Sequence, residues 1–276
     1  MIPENKCDIH THTLFSRHAY STIMENVTWA KKAGLELLGS ADHFSSMQFP
    51  EYKDHRNYQY LFCEKDWPRW IGDLCLLRGC EADIVNREGD LFGQDIPISS
   101  TITGDLYRDG ESRTLYGWAT SRMDYVIASV HGKDFTRGLD EAGITEMYLG
   151  ALRQKKVLVL GHIGRTGLDF AIDEVLREAG RLHKMIEFNE HSFDSEEAVE
   201  RCRKIALRCA ELGVPAAVTT DAHICLKVGQ VSQVLGMLNE IHFPQELIMT
   251  RSRKTLLRAM KESGVCDLEH ELSEEK

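Results

Sequence analysis

The hydrophobic residues of this chain are grouped in short runs of Val, Ile and Leu that alternate with longer amphipathic stretches. Short apolar runs bounded by turn residues are typical of buried strands, whereas apolar residues that recur every three or four positions predict helices. The chain therefore predicts a regular succession of strands and helices. The predicted strands are residues 6–13, 36–43, 75–85, 125–131, 157–162, 185–189 and 216–221.

The intervals between these strands carry helical patterns. Asp169 and Ser195 are suited to an N-cap, where a side-chain oxygen accepts a hydrogen bond from the first turn. Gly34 and Gly213 stand where a C-terminal cap would fall. The predicted helices are residues 22–33, 145–154, 169–182, 195–212 and 228–238.

Strands that alternate with helices favour a parallel sheet with right-handed crossovers. Seven such strands predict a β/α barrel that is one unit short of eight, and an open doubly wound sheet is the alternative. A chain of 276 residues, 42% of them hydrophobic, can bury one large core, although length alone also allows two smaller domains. We expect a single barrel domain over residues 1–276, with an acidic tail from about residue 265 that frays from residue 269.

Two stretches interrupt the alternation of strands and helices. Residues 45–69 are aromatic and charged, and they predict a long loop that either forms a rim over the substrate or packs on the body of the protein. Residues 87–113 contain four glycines and predict an irregular excursion.

Composition limits the classes of partner. The 33 basic and 43 acidic residues give a net charge of −10, which argues against binding of long nucleic acid but allows a small phosphorylated substrate in a local basic pocket. No apolar run reaches the roughly 18 residues that a membrane span requires, and no charged-then-apolar leader opens the chain. We therefore expect a cytoplasmic protein without a membrane anchor.

The eight cysteines include no CxxC pair, so we expect reduced thiols, with Cys202 and Cys209 on a buried helical stripe.

Metal-ligating residue types stand at the ends of six predicted strands. The carboxyl ends of parallel barrel strands meet at one face, so residues distant in sequence converge there. Neutral imidazoles and carboxylates are the usual ligands of zinc, manganese and iron. One histidine at a strand end is ordinarily a hydrogen-bonded loop residue, but six such strand ends together predict a metal site. The residues are His10, His12, His43, Glu81, His131, His162, Asp221 and His223.

The other histidines fall outside this pattern. His55, His183, His242 and His270 lie in charged loops, after helix ends or in the C-terminal region, and we expect them to be solvated. His191 follows the sixth predicted strand closely enough to line the rim of the metal site.

The same segments carry a family resemblance that extends from about residue 6 to about residue 262. The chain resembles the PHP (polymerase and histidinol phosphatase) family, and within it the YcdX-like phosphoesterases. The matching motifs are Asp8-Ile9-His10-Thr11-His12-Thr13, His18-Ala19-Tyr20-Ser21-Thr22, Ala41-Asp42-His43, Arg78-Gly79-Cys80-Glu81-Ala82, Gly161-His162, Glu187-Phe188-Asn189 and Thr220-Asp221-Ala222-His223.

The resemblance implies a distorted (β/α)7 barrel with three divalent metal ions, zinc, manganese or iron. It adds His18, a loop residue that spacing alone does not indicate. It also implies the ligand sets: His10, His12, Glu81 and Asp221 for the first ion, Glu81 as a bridge to a second ion with His131 and His162, and His18, His43 and His223 for the third ion.

These ligands predict a phosphomonoesterase with a metal-bridging hydroxide as nucleophile, in which Glu81, Asp221 and His223 are the catalytic residues. Arg17 and Arg165 are the candidate phosphate contacts, and Lys133 is a weaker one. The identity of the general acid stays open between Asp221, His223 and a metal-bound water.

The chain departs from the family at Ile163, where proline often follows the fifth-strand histidine, and at Glu190, where the subgroup tends to have asparagine. Both departures leave the choice of substrate open.

Other functions share part of this pattern. A histidinol-phosphate phosphatase would have the same site with a different pocket, and a phosphodiesterase acting on short nucleotides is compatible with the net charge. A metal-dependent hydrolase of C–N bonds usually carries a carboxylated lysine, and no lysine ends a predicted strand at the right place. A non-catalytic metal-binding module would lack ligands, and all nine positions carry ligating residue types here.

Overall fold

The computed structural model describes residues 4–49, 55–63, 66–107 and 113–272. Its main sheet has seven parallel strands in the order β1-β2-β5-β8-β9-β10-β11, and β3 and β4 pair with β5 beside this path. β6 and β7 form a separate antiparallel pair. The strands are β1 (Cys7–Thr11), β2 (Leu37–Ser40), β3 (His43–Phe44), β4 (Trp70–Ile71), β5 (Leu74–Asp83), β6 (Pro97–Ile98), β7 (Arg113–Thr114), β8 (Tyr125–Ser129), β9 (Val157–Leu160), β10 (Met185–Asn189) and β11 (Ala216–Thr219).

The first and last strands of the sheet approach each other and nearly close it. A parallel bridge joins Thr11 to Ala222, and the amide of His12 donates to the Ala222 carbonyl at 2.9 Å. The carboxylate of Asp8 on β1 accepts hydrogen bonds from the amide and the hydroxyl of Thr220. The predicted distorted (β/α)7 barrel is therefore confirmed, and the open doubly wound alternative is wrong.

Helices connect successive strands of the barrel and cover its outer face. Thr22 caps α1 in a capping box with Glu25, Ser195 caps α6 as predicted, and Gly213 ends α6 in the left-handed conformation that glycine adopts readily. The helices are α1 (Ile23–Lys32), α2 (Gln59–Cys63), α3 (Leu115–Thr120), α4 (Glu141–Arg153), α5 (Ile172–Arg181), α6 (Glu196–Leu212), α7 (Ser232–Glu240) and α8 (Arg253–Glu262).

Several predicted boundaries differ from the structure. Asp169 is not a cap, because α5 begins three residues later, after Ala171, and Asp169 pairs with Arg201 instead. α4 begins four residues before its predicted start because the side chain of Asp140 caps it. The short helices α2 and α3 and the C-terminal α8 were not predicted. The predicted first, fourth and fifth strands extend past the observed ends of β1, β8 and β9, so His12, His131 and His162 lie in the loops that follow, whereas His43 lies on the separate short strand β3.

Tyr125 fills the interior of the barrel. Its ring is fully buried, and its hydroxyl donates to the carbonyl of Ile9 at 2.6 Å. A methyl group at Gly79 would lie 2.4 Å from the ring carbon Cζ of Tyr125, and one at Gly39 would lie 2.3 Å from the hydroxyl. Both glycines are thus required for the ring to fit, because a closely packed interior cannot absorb such overlaps.

α8 closes the end of the barrel at which the strands begin. Its Leu256, Leu257 and Met260 are fully buried, and they share a hydrophobic cluster with Cys7 and Cys75 from the first residues of β1 and β5. With this end plugged by apolar side chains, the opposite end, where the strands finish, remains for the polar residues.

The interrupting segments and the tail are more ordered than predicted. In the 45–69 stretch, of which residues 50–54 and 64–65 lie outside the described part, a 3₁₀ turn and α2 occur, and Tyr58 is fully buried. The tail does not fray at residue 269, because Val265 and Leu268 are buried and Glu269–Leu272 forms a 3₁₀ turn. Residues 273–276 are outside the described part.

Cysteine pairing and membrane association are addressed by two observations. Seven cysteines in the described part are free, and Cys202 and Cys209 are buried on α6 as predicted. Among the described helices, none combines the length and apolar character that crossing a bilayer requires.

Candidate metal centre

The polar residues predicted at the strand ends meet at the open end of the barrel. His10 lies on β1, His43 on β3 and Glu81 on β5. The other candidates lie in the loops that directly follow β1, β8, β9 and β11, because a strand that ends there points its next residues into the barrel mouth. These residues are His12, His18, His131, His162, Asp221 and His223.

Four of these residues form one compact group. Nε2 of His12 lies 3.1 Å from Oδ1 of Asp221 and 3.6 Å from Oε2 of Glu81. Nε2 of His10 lies 3.5 Å and 3.4 Å from the same two oxygens. Ligands bound tetrahedrally at 2.0–2.1 Å are about 3.3 Å apart, so the four atoms have the spacing of a zinc-like coordination shell.

The second oxygen of Glu81 faces a different pair of imidazoles. Oε1 lies 2.8 Å from Nε2 of His162 and 3.5 Å from Nε2 of His131. Glu81 is fully buried, so neither oxygen is compensated by bulk water. The carboxylate therefore lies between two sets of potential ligands, as a bridging ligand would.

A third group lies nearest to solvent. Nε2 of the exposed His18 is 3.2 Å from Nε2 of His43 and 3.0 Å from Nε2 of His223. The backbone of Arg17 has a positive φ of 64°, which turns the loop so that His18 faces these two imidazoles. The structure thus brings together all nine residues that the sequence and the resemblance indicated.

Buried polar atoms without hydrogen bonds indicate whether the clustered residues fit a metal ion. His10 Nε2 is buried without a hydrogen-bond partner among the described residues, and His43 Nδ1 and Glu81 Oε2 lie 2.8 Å apart without forming a hydrogen bond of normal geometry. An unpaired buried polar atom costs about 1–3 kcal/mol, and ionised groups cost more. A divalent cation among these atoms would satisfy all three, so the residues fit the zinc, manganese or iron that the resemblance implies.

Outer residues fix the orientation of the imidazoles. Nδ1 of His10 donates to Oε1 of Glu187 at 2.6 Å, and Nδ1 of His131 donates to Oδ1 of Asp83 at 2.7 Å. An ionised carboxylate only accepts, so Nδ1 of each ring carries a proton, and Nε2 is the ring nitrogen that faces the cluster.

Ser16 has the same function for His12. Its hydroxyl donates to Oδ1 of Asp42 at 2.6 Å, which leaves the oxygen free to accept from Nδ1 of His12 at 2.9 Å. The oxygen also accepts the backbone amide of His43 at 3.1 Å. One hydroxyl therefore positions two of the candidate ligands.

Sequence reasoning did not assign roles to Ser16, Asp42, Asp83 or Glu187. The available signal was an acidic residue within a buried strand or beside a ligand, as in Asp42-His43 and in Glu187 on β10. Such residues are otherwise rare in barrel cores, because an unpaired carboxylate there is costly.

The electrostatics of the first group favour ionised carboxylates. Burial opposes ionisation of Glu81, yet the surrounding imidazoles, His131 foremost, hold the pKa of its carboxyl well below the usual value. His10 foremost does the same for the pKa of Asp221, again against burial. Burial lowers the pKa of His12 well below its usual value, so this imidazole is neutral and can coordinate.

Two of the ligand positions have a strained backbone with a positive φ. Asp221 has a φ of 56° and His162 a φ of 32°. Such conformations cost about 1–3 kcal/mol in residues other than glycine, and they tend to occur where function requires them. Here each turns a side chain into the cluster directly after its strand.

The two candidate phosphate contacts differ in position. Arg165 donates from Nη2 to Oδ2 of Asp221 at 2.8 Å, and its side chain is 28% exposed, so it borders the cluster and faces solvent. Arg17 instead donates to the carbonyl of Gln48 and lies over the ring of Phe49, 4.9 Å from its centroid. Lys133 donates to the carbonyl of Thr166.

The remaining histidines are placed as follows. His191 is half-exposed, with Nδ1 3.6 Å from Oδ2 of Asp221, and it lines the rim as predicted. His183, His242 and His270 are exposed as predicted. The prediction for His55 is wrong, because its side chain is buried against the ring of Trp118 at 5.5 Å.

The fold and the cluster define a β/α barrel that carries, at the carboxyl end of its strands, a group of histidines and carboxylates able to hold metal ions. The family model described as the PHP domain matches residues 8–193. The chain belongs to the PHP family, and the predicted family membership is confirmed.

Relatives and solved structures agree with this assignment. A probable phosphatase of Clostridium acetobutylicum is 33% identical over 259 residues, which cover 93% of this chain and 95% of that protein. A probable phosphatase of Aliivibrio fischeri is 33% identical over 266 residues, 95% of each chain. The crystal structure of a histidinol phosphate phosphatase from Lactococcus lactis, complexed with zinc, L-histidinol and phosphate, matches with a TM-score of 0.54 at 20% identity. The match covers 87% of this chain and 95% of that one, and it shows the shared fold.

We predict that Ser16→Ala weakens metal binding about 10–100-fold, because His12 and His43 lose the oxygen that orients them. Ser129→Ala is the matched control, since Ser129 is equally buried beside the centre and its hydroxyl has no hydrogen-bond partner among the described residues. Titration with a competing chelator measures both affinities. Equal affinities for the two variants would contradict the role of Ser16.

Proposed function

We propose that this protein is a metal-dependent phosphomonoesterase whose centre holds three divalent ions. The observation that carries the proposal is the position of Glu81, whose two oxygens face separate sets of imidazoles. The third set, around His18, lies at the solvent side, where a substrate would enter. The names of the relatives, probable phosphatases, support the reaction class.

The ions, zinc, manganese or iron, would lower the pKa of a shared water so that hydroxide is available at neutral pH, and they would offset charge on the phosphoryl oxygens. Phosphoryl transfer requires positioning and charge stabilisation more than a protein nucleophile. This requirement agrees with a site whose inner residues are almost entirely imidazoles and carboxylates. The neighbouring crystal structure, which contains zinc and phosphate, is compatible with the proposal.

Arg165 is the residue that we assign to the substrate phosphate. One of its nitrogens is fixed by Asp221, and its side chain is partly exposed, so the guanidinium is held at the edge of the cluster before substrate arrives. Arg17 is assigned to the loop that carries His18, because its guanidinium is already held by Gln48 and Phe49.

Asp221 and His223 act as ligands in this proposal. The ionised state of Asp221, which the low pKa of its carboxyl favours, makes it a poor proton donor to the leaving group. His223 is held by its Nδ1, which contacts the carbonyl of Asp221 at 3.0 Å, and this contact directs Nε2 toward His18.

We expect the metal-reconstituted protein to hydrolyse p-nitrophenyl phosphate and to lose this activity when a chelator is added. Glu81→Gln keeps the shape of the side chain but removes its charge and one ligand oxygen. It should lower kcat at least about a thousandfold, which corresponds to about 4 kcal/mol of transition-state stabilisation.

Glu262→Gln is the control for this substitution, because Glu262 is exposed on α8 at the plugged end of the barrel. It should retain the wild-type rate. Turnover by Glu81→Gln at the wild-type rate, or activity that survives complete removal of metal, would overturn the proposal.

A second pair of variants separates the two arginines. Arg165→Met should lower kcat/KM for p-nitrophenyl phosphate about 100-fold, because it removes a charged hydrogen-bond donor from the phosphate. Arg17→Met should lower it by less than about tenfold. A steady-state comparison in which Arg17→Met is the more damaging change would reverse the assignment.

A further inference from the structure

A cavity of about 210 Å³ opens beside the proposed metal centre. It is bounded by the loop after β10, the loop after β11 and the first turn of α7, and two of the proposed ligands, Asp221 and His223, form one of its walls. The space accommodates several waters or a small organic group rather than a polymer. A phosphoester bound at the metals would place its leaving group here.

The polar groups that line the cavity differ in the partners that they already contact. The two carboxylate oxygens of Glu190 accept hydrogen bonds from the backbone amides of Gln233 and Val234 in the first turn of α7. This carboxylate is therefore held against the N-terminus of α7. This cap also accounts for glutamate at a position where asparagine was expected. Asp194 has a side chain that is 78% exposed, and its Oδ2 lies 3.7 Å from Nε2 of His191.

Lys227 is the cation of the cavity wall. It lies four residues after His223 on the same loop, its side chain is exposed, and its ammonium group has no hydrogen bond or ion pair among the described residues. An ammonium group offers three donors and no acceptor. The protein as a whole carries a charge of −10, so a local cation is needed to favour an anionic ligand here.

We propose that this cavity binds a second anionic group of the substrate, and that Lys227 selects for it. The substrate class is then a small phosphomonoester whose leaving group carries a carboxylate or a further phosphate. This inference rests on the proposed phosphatase function. It assigns the selectivity to a residue outside the nine proposed ligands.

The test compares kcat/KM for matched substrates on the metal-reconstituted protein. 3-Phosphoglycerate against glycerol 3-phosphate tests a carboxylate, and fructose 1,6-bisphosphate against fructose 6-phosphate tests a second phosphate. The wild-type protein should prefer the more anionic member of at least one pair by about tenfold, the effect of one charged hydrogen bond. No preference in either pair would overturn the inference.

Variants assign the preference to one side chain. Lys227→Met should abolish the preference, and Lys227→Arg should retain it. Lys155→Met is the control, because Lys155 is exposed just before β9, at the opposite end of the barrel, and this variant should also retain the preference. A preference that persists in Lys227→Met would overturn the role of Lys227.

Hydrolysis of p-nitrophenyl phosphate by the wild type separates this inference from the proposed phosphatase function. If the hydrolysis fails, the proposed function fails. If it succeeds without anion selectivity, only this inference fails.

Discussion

The carboxylate of Glu81 is the interaction on which the candidate site depends. It is fully buried in the barrel mouth, and its two oxygens lie within 3.6 Å of nitrogens from five imidazoles. Burying such a charge without compensation costs several kcal/mol, so this arrangement is stable only if cations or protonated imidazoles surround it. The strand ends that deliver imidazoles around Glu81 contribute to that compensation.

The barrel makes this arrangement possible by separating its two ends. One end is filled by apolar side chains of α8, and the middle is filled by Tyr125 between two glycines. The other end carries the imidazoles and their outer partners, such as the Ser16–Asp42 pair and Glu187. Because these outer partners hold the rings by Nδ1, the centre is preorganised by the protein rather than by an ion alone.

The sequence predicted the alternation of elements, the barrel and eight of the nine clustered residues, because strand ends in a parallel barrel necessarily converge. His18 came only from the family resemblance, since its position depends on a loop turned by the positive φ of Arg17. The cap of α4 by Asp140 and the late start of α5 were not predicted, because the spacing of Asp residues does not show which of them caps a helix.

The roles of buried outer residues were also missed. Asp42 and Glu187 lie within the family motifs, but their function depends on tertiary contacts, of Asp42 with Ser16 and of Glu187 with Nδ1 of His10. His55 was misplaced for a related reason, since a charged segment predicted solvation while packing against Trp118 buried it. Arg17 and Arg165 looked equivalent beside their ligands, and only the fold distinguishes a loop contact from a residue at the mouth.

The most direct measurement for this account is the number of metal ions bound by each chain. Elemental analysis of protein reconstituted with zinc, manganese or iron and then freed of loosely bound ions gives this ratio. We predict about three ions per chain, one for each of the three ligand groups. Fewer than two ions per chain would contradict the bridging position of Glu81 and, with it, the proposed centre.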